Sequence, residues 1–259
     1  MQPWQAVIVP ADRTRAGLLE QWDLLLRAIE AQPDAAFDAP TRLPGWTGAL
    51  LVAHLTSGPA SVTRALTDPA PAGRPLAVTD YYREARAAAS AVDARARDAA
   101  GGRTPAELRV LLAGAVAEAG EHLEGAKDDA VVATRLGPLR LVDFLATRSL
   151  EGVVHGLDLP VPVTPATAAL RTSVRLLART IAASWPGRSV EVRVPPHVAV
   201  QCLAGPRHTR GTPPNIVEAQ PVAFVEVATG RRTWSAAIGD GSVTASGERS
   251  DLSGLLPML

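Results

Sequence analysis

Leu150-Glu151-Gly152-Val153-Val154-His155 decides how this chain is read. Glu151 and His155 stand four residues apart, which on a helix is one turn and one face. A carboxylate and an imidazole so placed can close on a single ion. Leu141, Phe144 and Leu145 lead up the same stripe to Arg148, Glu151 and His155. The period is helical, from about Leu139 to Leu157, and the stripe turns polar in its upper half while still facing inward. Burying three such side chains costs on the order of several kcal/mol unless they are paired or bind metal.

The partner stretch lies nearly a hundred residues earlier. His54 sits in Leu50-Leu51-Val52-Ala53-His54-Leu55, another apolar helical run. Two helices that each carry ligand-type side chains on a greasy face point to a metal site between packed helices. Two His and one Glu leave coordination positions open, as a catalytic zinc or similar divalent site requires; nickel, cobalt or iron would suit the same donors. The plain alternative for His54 is a core histidine satisfied by a backbone carbonyl. Asp158 could orient the His155 ring, but a role at the helix C-terminus is the preferred reading. Arg148 either anchors a substrate carboxylate or pairs with a buried acid.

Outward from these two runs the N-terminal part reads as helices. Leu18, Leu19, Trp22, Leu25, Leu26 and Ile29 form an amphipathic stripe. Thr47 caps a helix to about Leu66, which Pro59 should kink or interrupt. Asp80 to Ala100 reads as one helix ended by Gly101-Gly102. Thr104-Pro105-Ala106-Glu107 combines a Thr cap, Pro at the first helical position and a Glu three residues on, opening a helix to about Glu124. Gly137-Pro138 precedes the helix that bears Glu151.

Pro160-Val161-Pro162-Val163-Thr164-Pro165 is the linker, dividing the chain into 1–162 and 163–259. Thr164-Pro165 opens a helix to about Ser184. The period then changes to two: Val190, Val192 and Val194, then Val198, Val200 and Cys202, make a hairpin turning at Pro195-Pro196-His197. Pro221 to Thr229 reads as a short helix, Ser242 to Ser246 as a weak strand and Asp251 to Leu256 as a closing helix. The fold class is therefore an α-helical bundle followed by a small α+β domain.

Composition narrows the functions. Of 259 residues, 47% are hydrophobic and 20% charged, and the formal net charge is zero, which argues against a nucleic-acid or anionic-membrane partner. Cys202 is the single cysteine, so there is no internal disulfide, and its place among strand valines reads as inert core. Lys127 is the one lysine among 26 basic residues, a bias that fits a GC-rich coding genome. The N-terminus lacks a secretory signal and no run of 18 apolar residues occurs, so the expected location is the cytoplasm. Walker-type and Gly-x-Gly-x-x-Gly loops are absent, as is Gly-x-Ser-x-Gly. His122 reads as solvent-facing, His197 as a turn residue and Tyr81-Tyr82 as packing. His208, with Arg207 and Arg210 in a Gly/Pro-rich loop, is either a connector residue or a contact to substrate or thiol.

Leu43-Pro44-Gly45-Trp46-Thr47 followed by His54-Leu55, together with Glu151-x-x-x-His155-Gly156-Leu157-Asp158-Leu159, resembles the mycothiol-dependent maleylpyruvate isomerase family over residues 10 to 160. The resemblance implies a DinB-like four-helix bundle in which His54, Glu151 and His155 hold a divalent ion, usually zinc. Gly205-Pro206-Arg207-His208-Thr209-Arg210-Gly211-Thr212-Pro213-Pro214-Asn215 and Ala245-Ser246-Gly247-Glu248-Arg249-Ser250-Asp251-Leu252 resemble a sterol-carrier-like domain found in some actinobacterial members. The resemblance further implies a catalytic C-terminal arginine, for which Arg210 and Arg249 are the candidates; from the residues themselves, Arg148 on the Glu151 face is a third catalytic candidate and His208 in its loop the candidate contact to the thiol cofactor. The expected function is a metal-dependent enzyme using mycothiol on a small-molecule substrate, as an isomerase or thiol transferase, acting as a monomer or homodimer. The competing expectation is a carrier of a small apolar ligand or lipid without catalysis.

Overall fold

The computed structural model describes residues 11–87, 89–206 and 214–259, with the side chains of 11–12 and 83–90 left aside. The order of elements is α1 (Ala11–Ala31), α2 (Ala35–Asp38), α3 (Gly48–Thr67), α4 (Val78–Ala87), α5 (Ala89–Ala100), α6 (Pro105–Leu123), β1 (Val131–Thr134), β2 (Gly137–Arg140), α7 (Leu141–Asp158), α8 (Thr167–Ser184), β3 (Val190–Val194), β4 (Val198–Cys202), β5 (Ile216–Ala219), α9 (Pro221–Ala228), α10 (Trp234–Gly239) and β6 (Val243–Ser246). The described residues fall into two compact units, those of 1–76 with 91–172 and those of 77–90 with 173–259, so that one division falls inside α8.

In the first unit α1 and α3 each pack against both α6 and α7, which makes a four-helix bundle. Its core joins the two stripes read from the sequence, Leu18, Trp22, Leu25 and Ile29 of α1 and Leu141, Phe144 and Leu145 of α7, with Leu51 and Leu55 from α3 and Leu108 and Leu112 from α6, all buried. Each such side chain contributes roughly 1.5–3 kcal/mol on burial. The starts of α3 and α6 are capped as their sequences imply. Thr47 Oγ1 accepts from the Leu50 amide at 3.4 Å. Thr104 and Glu107 exchange both bonds of a capping box, with the Glu107 carboxylate 2.7 Å from the Thr104 amide.

Two expectations for this unit change. The helix α3 continues across Pro59 rather than stopping there. The hydroxyls of Thr56, Ser57 and Ser61 donate to the carbonyls of Val52, His54 and Gly58 around it, which supplies local bonding where a proline removes a donor. The helix bearing Glu151 begins at Leu141, because Leu139 and Arg140 belong to a short antiparallel hairpin, β1 with β2, in register Val132 with Leu139. Gly137, at φ 124°, makes the turn that a side chain would resist. Residues 78–87 and 89–100 are helical, in agreement with the expected helix over 80–100, and residue 88 lies outside the described set.

The second unit holds a four-stranded sheet in the order β4-β3-β5-β6. The expected hairpin is there, Val190 opposite Cys202 and Val194 opposite Val198. Strand β5 runs parallel to β3, and β6 antiparallel to β5. Val190, Val192 and Val194 are buried on one face, as the alternation requires. The closing helix over 251–256 does not form. Asp251 Oδ1 takes the Ser253 amide at 2.9 Å, an Asx turn that competes with helix, Gly254 sits mid-segment and Pro257 follows. Among the described residues no helix is long and apolar enough to cross a membrane.

Candidate functional site

Helix α7 presents one face to α3 and the adjacent face, about 100° further round, to α1. On the α1 side, a Cβ at Gly152 would come 3.1 Å from Gln21 Cγ, and one at Gly156 would come 3.2 Å from a Leu25 methyl. These two glycines let α1 lie close. Fully buried Gln21 locks the contact: its Nε2 donates to the Gly152 carbonyl at 3.3 Å and its Oε1 accepts from the Ala166 amide at 2.9 Å. With α7 held from behind, Glu151 and His155 project toward α3.

There they meet His54. The Nε2 atoms of His54 and His155 are 3.2 Å apart, and His54 Nε2 is 3.5 Å from Glu151 Oε1. The two imidazoles meet edge to face, ring centroids 4.8 Å apart. Gly58, one turn past His54, leaves the space that Glu151 fills: a Cβ on it would sit 2.9 Å from Glu151 Oε2. Arg148 Nη1 donates to that same Oε2 at 2.9 Å, and its guanidinium lies 5.2 Å from the Phe144 ring centroid. Arg148 thus pairs with a half-buried acid, which is one of the two readings open for it.

Asp158 is fully buried, and its Oδ2 lies 3.0 Å from His155 Nδ1. That corrects the preference for a surface or capping role. The α7 C-terminus is tucked under the loop before α3, with the Arg42 amide donating to the Asp158 carbonyl at 3.1 Å, so the carboxylate points inward. A carboxylate on Nδ1 holds the proton there and leaves the Nε2 lone pair free toward His54. Trp46 packs edge-on against His54, 5.6 Å between centroids. Burial is the main cause that lowers the His54 pKa from 6.5 to about 4; His155, Arg148 and Arg95 push the same way and Glu151 partly opposes them.

The donor chemistry fits a divalent ion. Tetrahedral ligands bonded at 2.0–2.1 Å stand about 3.3 Å from one another, and the two distances from His54 Nε2 bracket that value. Two ring nitrogens facing each other with one neutral imidazole and one Nδ1-held proton either share a hydrogen or share a cation. What is assembled is the donor set rather than a finished cage: among the described residues no group of three or more His, Cys, Asp or Glu stands so that it could hold a metal ion, and Arg148 holds one oxygen of Glu151.

The other sequence-derived candidates fall elsewhere. His208 and Arg210 lie outside the described residues. Arg249 is in the second unit, exposed, with Nη1 donating to the Ala204 carbonyl at 3.1 Å. Cys202 is fully buried and its thiol is pushed up to about 11 by burial, which agrees with an inert core residue. His122 is exposed. Gly58 and Gln21 were not singled out from the sequence. The i, i+4 pair Gly152 and Gly156, read beside a buried-type Gln on the first stripe, carried that signal.

A helical bundle with an inward His–His–Glu group, continued by a small α+β unit, is the class defined by these features. Residues 18–160 match the family model described as mycothiol maleylpyruvate isomerase N-terminal domain, and residues 166–258 match that of the bacterial SCP ortholog. The first match covers more than half of the chain, which therefore belongs to the mycothiol maleylpyruvate isomerase N-terminal domain family. The resemblance read from Leu43–Thr47, His54 and Glu151–Leu159 is borne out. Two crystal structures share the fold at 17% identity, covering 92% of this chain and 93% of theirs: the mycothiol-dependent maleylpyruvate isomerase, TM-score 0.64, and a histidine-to-alanine mutant of it, TM-score 0.65. No protein of curated function matches the chain.

Proposed function

We propose that this chain is a mycothiol-using enzyme of the maleylpyruvate isomerase type, with a divalent ion, zinc by its donors, held by His54, Glu151 and His155. The observation that carries this reading is the pair of imidazole Nε2 atoms 3.2 Å apart, with the His155 ring oriented by buried Asp158. Family membership supports the thiol. An ion held there supplies Lewis acidity that lowers the pKa of a bound thiol or water to near neutrality. The residues do the rest. Asp158 keeps the His155 proton on Nδ1, so that Nε2 stays a donor of electrons. Burial keeps His54 neutral and ready to ligate down to acidic pH. Arg148 holds Glu151 in place and offers a cationic group that a substrate carboxylate or developing oxyanion could exchange for Glu151. In the isomerisation, a thiolate adds to an activated double bond, rotation follows about the resulting single bond, and elimination returns the thiol. Transfer of the thiol onto an electrophile is the sibling reaction. His208, Arg210 and Arg249 remain proposed contacts for thiol and substrate.

The test is an assay of zinc-loaded protein with mycothiol against a panel of unsaturated acids and electrophiles. Turnover that requires both zinc and thiol supports the reading, and turnover unchanged without the thiol contradicts it. A second reading, carriage of an apolar ligand by the C-terminal unit, is favoured by the match of residues 166–258. Lipid extracted in stoichiometric amount from metal-free, inactive protein would favour that reading.

A further inference from the structure

Arg148 stands between Glu151 and the rest of the donor set. The two imidazoles already face each other, and Glu151 Oε1 lies 3.5 Å from His54 Nε2. The other oxygen, Oε2, accepts from Arg148 Nη1 at 2.9 Å. Both side chains of this pair are mostly covered, 15% and 16% exposed. A guanidinium–carboxylate contact so placed is screened less than one on the surface, and Glu151 does not leave it without a replacement.

The guanidinium has anchors of its own. Its Nε donates to Thr147 Oγ1 at 3.2 Å, and Thr147 is fixed in turn by donating to the Phe144 carbonyl at 2.6 Å. The Phe144 ring supports it, with 5.2 Å between ring centroid and guanidinium carbon. These contacts do not involve Glu151. They keep Arg148 in place when Glu151 turns away, with Nη1 open to another carboxylate.

A divalent ion beside His54 and His155 brings two positive charges close to this guanidinium. With Glu151 shared between the two cations, neither is fully offset. A carboxylate from outside that takes over Arg148 Nη1 relieves the repulsion and frees both oxygens of Glu151 for the ion. Anion and ion then favour each other, and linkage makes the two effects equal.

We propose that Arg148 is a positioning residue that couples these two ligands: a small carboxylate seated on its guanidinium releases Glu151 to complete the metal site, so that carboxylate and metal bind cooperatively. This coupling rests on the reading of His54, Glu151 and His155 as metal ligands, and it selects substrates that carry a carboxylate.

The test is calorimetric titration of zinc into the chelator-stripped full chain, in crotonate at about 20 mM or in chloride at equal ionic strength. Crotonate is a monocarboxylate that does not chelate. Its weak pairing with zinc in solution lowers the apparent affinity, so it cannot imitate the expected rise. Wild-type zinc affinity should rise about fivefold or more in crotonate. Arg148→Met should bind zinc in chloride at least as tightly as the wild type does, and should ignore crotonate. Arg148→Lys, which keeps the charge without the planar fork, should retain part of the response. Wild-type zinc affinity that is the same in both solutions overturns the coupling and leaves the metal reading standing. So does an Arg148→Met variant that binds zinc more weakly than the wild type, which is the mark of a plain brace. An equal rise in Arg148→Met also overturns it, since the carboxylate would then sit on the ion itself. No zinc uptake by the wild type in either solution overturns the metal reading and the coupling together. Circular dichroism on each sample confirms that the variants are folded.

Discussion

His54 shows how burial tunes a single donor. An imidazole with a folded pKa near 4 and an unfolded value of 6.5 takes up its proton first in the unfolded chain. Above pH 6.5 neither state holds the proton and His54 adds no pH dependence. As pH falls from 6.5 toward 4, the unfolded state is favoured and stability declines, levelling off below about 4. The gap converts to roughly 3 kcal/mol. Urea titrations of metal-free protein between pH 7 and pH 4 should show that decline, and His54→Gln should flatten it; a wild type with no change in midpoint over this window would refute a neutral, buried His54. Asp158 acts one bond further out. Asp158→Asn cannot accept the Nδ1 proton as a carboxylate does, so zinc affinity should fall about 10- to 100-fold, while an unchanged affinity would mean that the His155 ring is oriented by packing alone. The sequence offered Asp158 as an alternative only, because a position three residues past His155 does not reveal whether the last turn is buried.

At the scale of elements, the glycines of two helices determine where the donors end up. Gly152 and Gly156 admit α1 behind α7, and Gly58 admits the Glu151 carboxylate beside α3. Gly58→Ala should leave the fold intact and add up to about 1 kcal/mol of helix propensity. It should also displace the Glu151 carboxylate and weaken zinc binding. Melting temperature and zinc titration on the same sample separate the two effects, and full affinity in a variant that melts higher would show that Gly58 does not set the position of Glu151. Long elements were legible because their signals repeat. About three turns of stripe in α1 and the valine alternation of β3 each state one period several times, and the capping box before α6 marks a helix start by several residues at once. Short elements were legible less evenly: β6 and α9 were read, while β1, β2 and β5 were not. Strands β1, β2 and β5 have four residues each, too few to define an alternation, and the Asx turn at Asp251 outweighed a helical pattern of only six residues.

For the whole molecule, family and fold were legible from two motifs nearly a hundred residues apart, since only a helical bundle brings His54 onto the face that carries Glu151 and His155. The close contact between the two Nε2 atoms was not legible; it depends on the packing of α3 and α7, on Gln21 and on Asp158. The central claim is that this convergence exists to hold a divalent ion. Its most direct test is calorimetric titration of zinc into chelator-stripped protein, wild type beside His155→Ala, with circular dichroism on both. One equivalent should bind to the wild type and none to the variant, with both equally helical, because the apolar stripes rather than the ion hold the bundle together. Equal zinc uptake by the two proteins would contradict it.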